Sequence, residues 1–556
     1  MEPKLRACRN CEIKFAIVPE DFDFYEKMGV PAPGLCPDCR FKRRSVFRNE
    51  STLYKRVCAL CGASVITMYH PNSSYVVYCN DCWMSDKWDA NSYAQDYDTS
   101  RPFIEQLGEL LKRVPKAATY SNADQGPNVN SEYTNFSGSN KDCYLIFNSS
   151  PRNENCAYSR GLSNNHDVFD TYYADGSERL YENINAQKSS GVAWGQNITD
   201  CLGSWFLLNC AGCQNCFGCV NLRHKSYCFF NEQLTKEEWE RKVAEIAGSY
   251  RALEDAKKKF ETFALTFPRR ENNNLKSVRC TGDYIFESKD CEACFEVSFS
   301  ENLKYSFSIK YAKDCYDLLG HGRRSELLLE GVGTGVSSRA IACWWAETSH
   351  DVEYCFGTRA SEYCFGCDGL RNGKYMILNK KYDEAEYEKL RARIVEELKG
   401  LGEYGLFAPP SIAFFAYNEG VGQDNLPMAK EQALREGFRW QDEIQTTKGK
   451  GTLAAAAIPD HIKDVPDNIV DAVLTCATCE RNYKIIKPEL TLYKKMELPI
   501  PRQCFNCRFL ERITKRGSFA LHERQCAKCR RSITTNYALD RPEIVYCEQC
   551  YQAEVA

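Results

Sequence analysis

SKDCEACFEVSF (288–299), SENLKYSFSIKY (300–311), AKDCYDLLGHGR (312–323) and RSELLLEGVGTG (324–335) are four consecutive blocks of twelve residues, and they decide the fold of this chain. The fourth position of each block is apolar or cysteine, namely Cys291, Leu303, Cys315 and Leu327. Asp, Asn, Ser and Gly gather at the block edges, where turns are expected. A short, fixed period of strand and turn is typical of stacked repeats.

The same period appears earlier, in NENCAYSRGLSN, NHDVFDTYYADG and SERLYENINAQK (153–188). Phe217-Gly218-Cys219 and Leu222-Arg223 recur 148 residues later, at 365–367 and 370–371. The middle of the chain is therefore a duplication. Each copy ends in a predicted helix, near 235–263 and 383–399, with an N-cap signal in Thr235 and in Asp383.

We interpret the two copies as parallel β-solenoid-like segments with capping helices, in a mainly β protein. Two blocks are expected to form one coil, and Leu303, Tyr305, Phe307, Ile309 and Tyr311 are expected to share one strand face. An irregular antiparallel β-domain with small repeats is the alternative.

A second duplication joins the two ends of the chain. The cysteines of the first end recur without a gap 468 residues later; the two sets are Cys8, Cys11, Cys36, Cys39, Cys58, Cys61, Cys79 and Cys82, and then Cys476, Cys479, Cys504, Cys507, Cys526, Cys529, Cys547 and Cys550. Other positions keep the same shift, such as Arg40 with Arg508 and Arg44 with Arg512. The ends are two copies of one module.

Pairs of the form C-x2-C are typical of zinc sites, and four thiolates complete the tetrahedral coordination of zinc. Each module holds two such sets, so we predict four zinc ions per chain in closed, structural sites. The 32 cysteines would suggest disulfides in a secreted chain, but nothing indicates export. The ligands could pair sequentially or in a cross-braced manner; we expect sequential pairing.

The segment from Cys8 to Arg40 resembles the probable zinc-ribbon domain family. The pattern of that family falls on Cys8, Cys11, Phe15, Phe24, Tyr25, Lys27, Pro31, Pro33, Cys36, Pro37, Cys39 and Arg40. The distal copy departs from it at Leu492 and Phe505. The whole chain is also similar to uncharacterised multi-zinc β-repeat proteins of uncultured bacteria. These resemblances imply zinc binding and no particular activity.

Five regions follow from these patterns. They are a tandem zinc-ribbon module (1–100), a first β-repeat segment with a C-terminal helix (101–265), a second one (275–400), a linker region (401–470) and a second tandem zinc-ribbon module (471–556). No apolar run is long enough to cross a bilayer, and the first ten residues lack a secretory pattern. We therefore expect a cytoplasmic protein without a membrane partner.

Positive charge collects beside the cysteines. Residues 36–56 carry seven Lys/Arg against two acids (+5), and residues 502–531 carry nine against two (+7), so the remainder carries −3 − 12 = −15. Basic groups near aromatic rings suit contact with nucleic acid. The candidate residues are Arg40, Lys42, Arg43, Arg44, Arg48, Arg508, Arg512, Lys515, Arg516, Arg530 and Arg531. The alternative is a basic surface that is solvated or docks on the acidic middle of the same chain.

We find no catalytic set and no small-molecule substrate. Cys210, Cys213, Cys216 and Cys219 are spaced unlike ferredoxin ligands, and we interpret them as a buried ladder of apolar thiols. Asp167 with Asp170, and Asp314 with Asp317, are interpreted as turn caps.

The leading hypothesis is thus a non-enzymatic, zinc-binding scaffold whose basic ends bind nucleic acid, preferably RNA or a nucleoprotein. One alternative is a protein–protein adaptor with structural zinc only. Another is an enzyme that acts in a β-solenoid groove.

Overall fold

The computed structural model describes residues 3–121, 126–444 and 447–555; residues 1, 2 and 556 of the predicted end modules lie outside this description. The N-terminal region contains β1 (Lys4–Ala7), β2 (Lys14–Ile17), α1 (Pro19–Lys27), α2 (Pro37–Ser45), β3 (Tyr54–Val57), β4 (Ser64–Thr67), β5 (Val77–Tyr78), α3 (Asn80–Met84), α4 (Phe103–Arg113) and β6 (Lys116–Ala117). The first β segment contains β7 (Asn140–Lys141), β8 (Tyr144–Phe147), β9 (Asn153–Glu154), β10 (Ala157–Ser163), β11 (His166–Phe169), β12 (Tyr172–Asp175), β13 (Glu178–Tyr181), β14 (Ile184–Gln187), β15 (Ser190–Ala193), β16 (Gln196–Thr199), β17 (Trp205–Leu208), β18 (Phe217–Val220), β19 (Cys228–Phe229), β20 (Glu232–Gln233), α5 (Lys236–Ala244) and α6 (Tyr250–Ala264).

After the short strand β21 (Arg269–Arg270), the second β segment contains β22 (Gly282–Phe286), β23 (Lys289–Glu292), β24 (Cys294–Ser298), β25 (Glu301–Lys304), β26 (Phe307–Lys310), β27 (Ala312–His321), β28 (Ser325–Val332), β29 (Ser338–Ile341), β30 (His350–Glu353), β31 (Glu362–Phe365), β32 (Lys374–Ile377), β33 (Lys380–Lys381) and α7 (Glu384–Gly400). The C-terminal part contains α8 (Val421–Asn425), α9 (Lys430–Arg435), β34 (Leu474–Thr475), β35 (Asn482–Tyr483), α10 (Lys487–Lys495), α11 (Phe505–Arg516), β36 (His522–Gln525), β37 (Ser532–Thr535), β38 (Val545–Tyr546) and α12 (Glu548–Val555). The protein is mainly β, with a cysteine cluster region at each end.

Apart from the short hairpins β19–β20 and β32–β33, the strands of both β segments pair in parallel. Most partners lie twelve residues apart in sequence, as in Val168↔Leu180 and Leu303↔Cys315, and partners lie thirteen apart between β8 and β10 and between β27 and β28. Hydrogen bonding thus connects each block to the next one. The expectation that two blocks form one coil is wrong, because that arrangement would pair residues twenty-four apart.

The pairing path of the first segment closes on itself. The order β15-β13-β11-β10-β12-β14-β16-β17 returns to its start through an additional β15–β17 pairing, so eight parallel strands form a closed barrel. Closure occurs because β10 pairs with both β11 and β12, and β17 pairs with both β15 and β16. In the first segment this closed barrel replaces the predicted β-solenoid, and the predominantly parallel strands of both segments exclude the antiparallel alternative.

Backbone turns recur every third residue. Asn302, Tyr305, Ser308 and Tyr311 have φ of 54°, 51°, 57° and 58°, in the left-handed region. Each turn changes the direction of the following side chain, so the alternation predicted between Leu303 and Tyr311 breaks. Leu303 is fully buried, whereas Tyr311 is 49% exposed.

One extra residue interrupts the repeat between β27 and β28. Cys315 pairs with Leu328, thirteen residues on, rather than with Leu327. Leu328 is fully buried, and Leu327 has a φ of 58°. The inward position of the fourth block is therefore its fifth residue, which corrects the prediction for Leu327.

The helices after each segment begin where the sequence predicts. Thr235 accepts a hydrogen bond from the Glu238 amide, and Asp383 accepts one from the Glu386 amide. The first predicted helix is divided into α5 and α6. In the predicted linker region, Phe414 and Phe415 are buried in the same core cluster as Trp344. Among the described helices, none has the length and apolar character that a membrane span requires.

Candidate metal centres

Four groups of four thiols lie where the cysteine spacing predicts. In each group all Sγ atoms lie within 4.8 Å of one another; the groups are Cys8, Cys11, Cys36 and Cys39; Cys58, Cys61, Cys79 and Cys82; Cys476, Cys479, Cys504 and Cys507; and Cys526, Cys529, Cys547 and Cys550. The ligands are grouped sequentially, as expected, and not in a cross-braced manner.

The thiols are spaced as a tetrahedral metal requires. The Sγ atoms of Cys11 and Cys36 are 3.6 Å apart, and those of Cys61 and Cys79 are 3.9 Å apart. A tetrahedral ion with metal–sulfur bonds of about 2.3 Å separates its ligands by about 3.8 Å. The donor sets therefore suit a closed four-thiolate metal site, in which no coordination position is left for a substrate.

The local backbone favours thiolates in these groups. The amide of Cys36 donates a hydrogen bond to the Cys8 Sγ at 3.3 Å, and the amide of Cys504 donates one to the Cys476 Sγ at 3.2 Å. Burial raises the pKa of the first thiol in each group, but backbone amides outweigh this effect and lower the pKa to about 6; the first thiols are Cys8, Cys58, Cys476 and Cys526. Burial and hydrogen bonds between neighbouring thiols raise the pKa of two other thiols in each group, such as Cys11 and Cys36, so one thiol per group is favoured as the thiolate before a metal binds.

The N-terminal module docks on the second β segment through two buried arginines of α2. Arg40 Nε lies 3.0 Å from Asp317 Oδ1, and Arg44 Nη1 lies 3.1 Å from the same oxygen. Arg44 Nη1 also lies 2.6 Å from Glu330 Oε2. All four side chains are at most 2% exposed, so these ion pairs are shielded from solvent and salt.

The C-terminal module makes the equivalent contact with the first β segment. Arg508 Nη2 lies 2.7 Å from Asp170 Oδ2, and Arg512 Nη2 lies 3.1 Å from Asp170 Oδ1. Arg512 Nη1 lies 3.7 Å from Glu182 Oε2. Arg508 and Arg512 correspond to Arg40 and Arg44 in the end duplication, and Glu182 corresponds to Glu330 in the middle one. Each module therefore docks on the more distant β segment in the sequence by the same contact.

The docking carboxyl groups have perturbed protonation. Burial raises the pKa of Glu330 to about 7, although the charge of Arg44 opposes this shift. Burial also raises the pKa of Glu182, against the charge of Arg512. Burial lowers the pKa of Arg40, but the charge of Asp317 more than offsets it, so its pKa lies above the ordinary value.

A buried network connects all four folded parts. Glu50 of the N-terminal module lies 2.7 Å from Arg48 and 2.6 Å from Arg160 of the first segment. Arg160 lies 3.2 Å from Glu296 of the second segment, which is 3.4 Å from Arg516 of the C-terminal module. Burial raises the pKa of Glu50, but Arg160 and Arg48 outweigh it and lower the pKa to about 2. The two end modules thus meet at one central ion network.

Most residues predicted to contact nucleic acid lie in these internal contacts. The buried ones are Arg40, Arg43, Arg44, Arg48, Arg508, Arg512 and Arg516. Lys42 is paired with Glu436 at 2.8 Å, and Lys515 with Glu261 at 3.0 Å. Arg530 and Arg531 are exposed. Nucleic-acid contact through the buried arginines stays a prediction that would require the modules to separate from the β segments.

The carboxylates that receive these arginines have a role that the sequence interpretation missed. The sequence pattern predicts turn caps at Asp170 and Asp317, yet both are fully buried and act as counterions. A signal for them exists in the sequence. The two aspartates occupy corresponding places in the middle duplication, 147 residues apart because the extra residue of the second copy comes after Asp317. The arginines recur in the two end modules and the aspartates recur in the two β segments. If an end module contacts a β segment, the two duplications together therefore predict two equivalent arginine–aspartate contacts.

The Cys210 run belongs to the buried core of the first β segment, together with Val168 and Leu180 of the barrel strands. Cys210, Cys213, Cys216 and Cys219 are at most 1% exposed, and each thiol donates a hydrogen bond to a backbone carbonyl. Among the described residues, this run is not one of the groups whose thiols come close enough to share a metal. Such thiols pack as small apolar groups.

Comparisons with known proteins leave the family open. No family model matches the chain, and no curated protein matches it. A solved structure of a putative acetyltransferase from Desulfovibrio desulfuricans G20 has 8% identity and a TM-score of 0.11, covering 49% of this chain and 72% of its own. A UDP-N-acetylglucosamine acyltransferase from Campylobacter jejuni has 12% identity and a TM-score of 0.09, covering 53% and 92%. Similarities this weak carry no argument about fold or activity.

Proposed function

We propose that this chain is a non-enzymatic, zinc-stabilised protein–protein adaptor in which two tandem zinc-ribbon modules hold two β segments together. The observation that supports it is the use of the basic helices α2 and α11 in buried ion pairs inside the chain. Because these basic helices are buried in contacts within the chain, they stabilise the fold and are not free to bind a ligand. A protein partner would therefore bind the outer faces of the β segments.

Zinc is the proposed metal. Four closed groups of thiols suit Zn²⁺, which binds thiolates strongly and is tetrahedral with four ligands in structural sites. When bound, zinc would supply the folding free energy that small modules with little apolar core lack. Reduced thiols require a reducing compartment, so we also propose a cytoplasmic location.

Nucleic-acid binding is the second candidate function. Arg530 and Arg531 are exposed at the C-terminal module and, among the described residues, form no ion pair. Two such groups would neutralise about two phosphates, which for a single strand corresponds to a salt slope of about −1.4 in a plot of log affinity against log salt. Non-specific and weak contact is therefore the most that this surface supports.

A salt titration distinguishes the two candidates. We expect the zinc-loaded full chain to bind single-stranded RNA weakly, with a slope of about −1.4 or with no measurable binding. A slope of about −6 or steeper would show that the arginines of α2 and α11 reach phosphates, and would overturn the adaptor proposal.

A further inference from the structure

A cavity lies between the first β segment, α6 and the C-terminal module. Its volume is about 230 Å³, and its walls include Ile184, Trp194, Phe206, Leu208 and Phe260. One water molecule takes up about 30 Å³ of liquid volume, so the cavity has room for a small organic molecule. It is separate from the thiol groups described above.

One wall of the cavity is an aromatic surface. Trp194 and Phe206 stack with ring centroids 4.8 Å apart and planes 11° apart. Phe260 of α6 lies 5.7 Å from Phe206. This wall offers an apolar body the same packing that aromatic pairs offer each other.

The charged side chains around the cavity pair with each other, with one exception. Lys257 lies 3.3 Å from Glu511, Lys515 pairs with Glu261, and Arg541 pairs with Glu543. Arg512 is paired with Asp170 and Glu182. Among the described residues, the remaining cation, Arg269, forms no ion pair and no side-chain hydrogen bond.

Arg269 is attracted by the charge of Glu543 across the cavity, but no carboxylate contacts its guanidinium directly within the described residues. It is only 7% exposed, and its Nη1 is buried without a hydrogen-bond partner; Arg512 Nε, at the same cavity, is also without one. Burying a charge without a partner costs free energy, and burial lowers the pKa of Arg269 accordingly. A buried guanidinium that faces a cavity is a receptor for an anion, because a carboxylate satisfies two of its donors at once.

The corresponding region between the second β segment and the N-terminal module has aromatic side chains where this cavity lies. Positions related by the two duplications carry Phe47 for Lys515, Trp344 for Gln196, Phe356 for Leu208 and Tyr75 for Glu543. There, Phe414 packs among these rings, 4.9 Å from Trp344, 5.4 Å from Phe47 and 5.3 Å from Tyr75. One copy is filled with aromatic side chains, while the other keeps a polar-rimmed space.

We propose that this cavity binds a small organic carboxylate with an aromatic or aliphatic body. The carboxylate is held by Arg269 and the free donor of Arg512, and the body lies on Trp194 and Phe206. Such a site gives the scaffold a small-molecule ligand that bridges the first β segment and the C-terminal module.

Calorimetry and thermal unfolding of the zinc-loaded full chain test this site. The probes are acetate, benzoate and indole-3-acetate, with benzamide as the neutral counterpart of benzoate. We expect at least one carboxylate to bind and to raise the unfolding temperature, and benzamide to bind at least ten-fold more weakly than benzoate.

Arg269→Gln and Arg270→Gln form a matched pair of variants. Arg270 is the next residue of β21 and is paired with Glu548 at 2.9 Å, away from the cavity. Arg269→Gln should weaken carboxylate binding at least ten-fold without lowering the unfolding temperature of the free protein, because an unpaired buried charge is removed. Arg270→Gln should bind like the natural chain.

Leu208→Phe provides a second test that leaves all charges in place. It copies Phe356 of the other half and should block binding by filling the cavity. The proposal is overturned if no probe binds the natural chain, if benzamide equals benzoate, or if Arg269→Gln leaves carboxylate binding unchanged.

Discussion

The two docked halves share a contact but differ in what surrounds it. In the half built from the N-terminal module and the second β segment, Phe24 stacks on Tyr316 at 3.9 Å and Phe41 lies 4.5 Å from Phe307. In the other half, Leu492 replaces Phe24, and a cavity opens beside Arg512. The arginine–carboxylate contact is retained in both copies, whereas the apolar packing around it has diverged. The contact therefore sets the arrangement, and the packing sets how firmly each half is held.

Loss of one zinc site should produce the largest effect and should separate the halves. Cys36→Ser and Cys504→Ser each remove one ligand at the start of a docking helix, α2 or α11. Each variant should lose one zinc equivalent and several kcal/mol of stability, since metal binding supplies the folding free energy of such modules. Thermal unfolding should show the greater loss for Cys504→Ser, because fewer aromatic contacts hold that module.

Cys213→Ala is the control for this comparison. It removes a buried thiol from the core of the first β segment that belongs to no predicted zinc site. It should keep four zinc ions, and a lost equivalent would show that the Cys210 run binds metal.

Breaking the docking contact should have the next largest effect. Arg44→Leu removes the 2.6 Å partner of Glu330 and one of the two arginines that contact Asp317, while Arg40 remains. Arg512→Leu removes the partner of Glu182 and one of the two arginines that contact Asp170, while Arg508 remains. Removal of one partner from a buried ion pair costs about 3–5 kcal/mol. We expect chemical unfolding to give the greater loss for Arg44→Leu, because its contact with Glu330 is 2.6 Å and the corresponding contact in the other half is 3.7 Å. Losses below about 1 kcal/mol in both variants would contradict buried docking.

The free energy of unfolding should depend on pH more strongly in the natural chain than in a variant whose docking carboxyl group is replaced by an amide. Burial raises the pKa of Glu330 to about 7 in the folded chain, above the usual value near 4.5. The folded state therefore binds the proton more tightly, so this contribution is complete below about pH 4.5 and is lost as the pH rises through 7. Glu330→Gln should make the unfolding free energy less dependent on pH between 5 and 8, by about 1–3 kcal/mol. An unchanged slope would show that Glu330 stays ionised throughout.

Exchange of residues between the two halves should produce the smallest effects. Phe356→Leu creates a space in the aromatic core and should cost about 1–2 kcal/mol. Leu208→Phe fills the cavity of the other half and should change stability by less than about 1 kcal/mol, in the stabilising direction. Equal losses in both variants would mean that the two sites are packed alike.

The metal groups could be predicted from the sequence because their ligands are close in the chain. Two C-x2-C pairs separated by a short loop predict a site without any knowledge of tertiary structure. The twelve-residue period is likewise visible in the sequence, although the prediction of two blocks per coil is wrong because each block pairs with the next one. Both inferences rest on local periodicity.

The closed barrel and the docking contacts could not be predicted in this way. Closure depends on two strands, β10 and β17, that pair with two neighbours each. Arg44 and Glu330 are 286 residues apart, and a charged run beside a zinc site has the same sequence pattern whether it faces solvent or a buried aspartate. The extra residue that moves Leu328 inward is similarly invisible to an average period.

Native mass spectrometry of the full chain tests the central claim most directly, namely that four thiolate-bound ions fold the modules that join the two β segments. We predict a mass equal to that of the chain plus four zinc ions, with all cysteines reduced, and stepwise loss of zinc on chelation together with unfolding of both modules. A chain that holds fewer than four ions, or whose terminal thiols form disulfides while the fold persists, would contradict it.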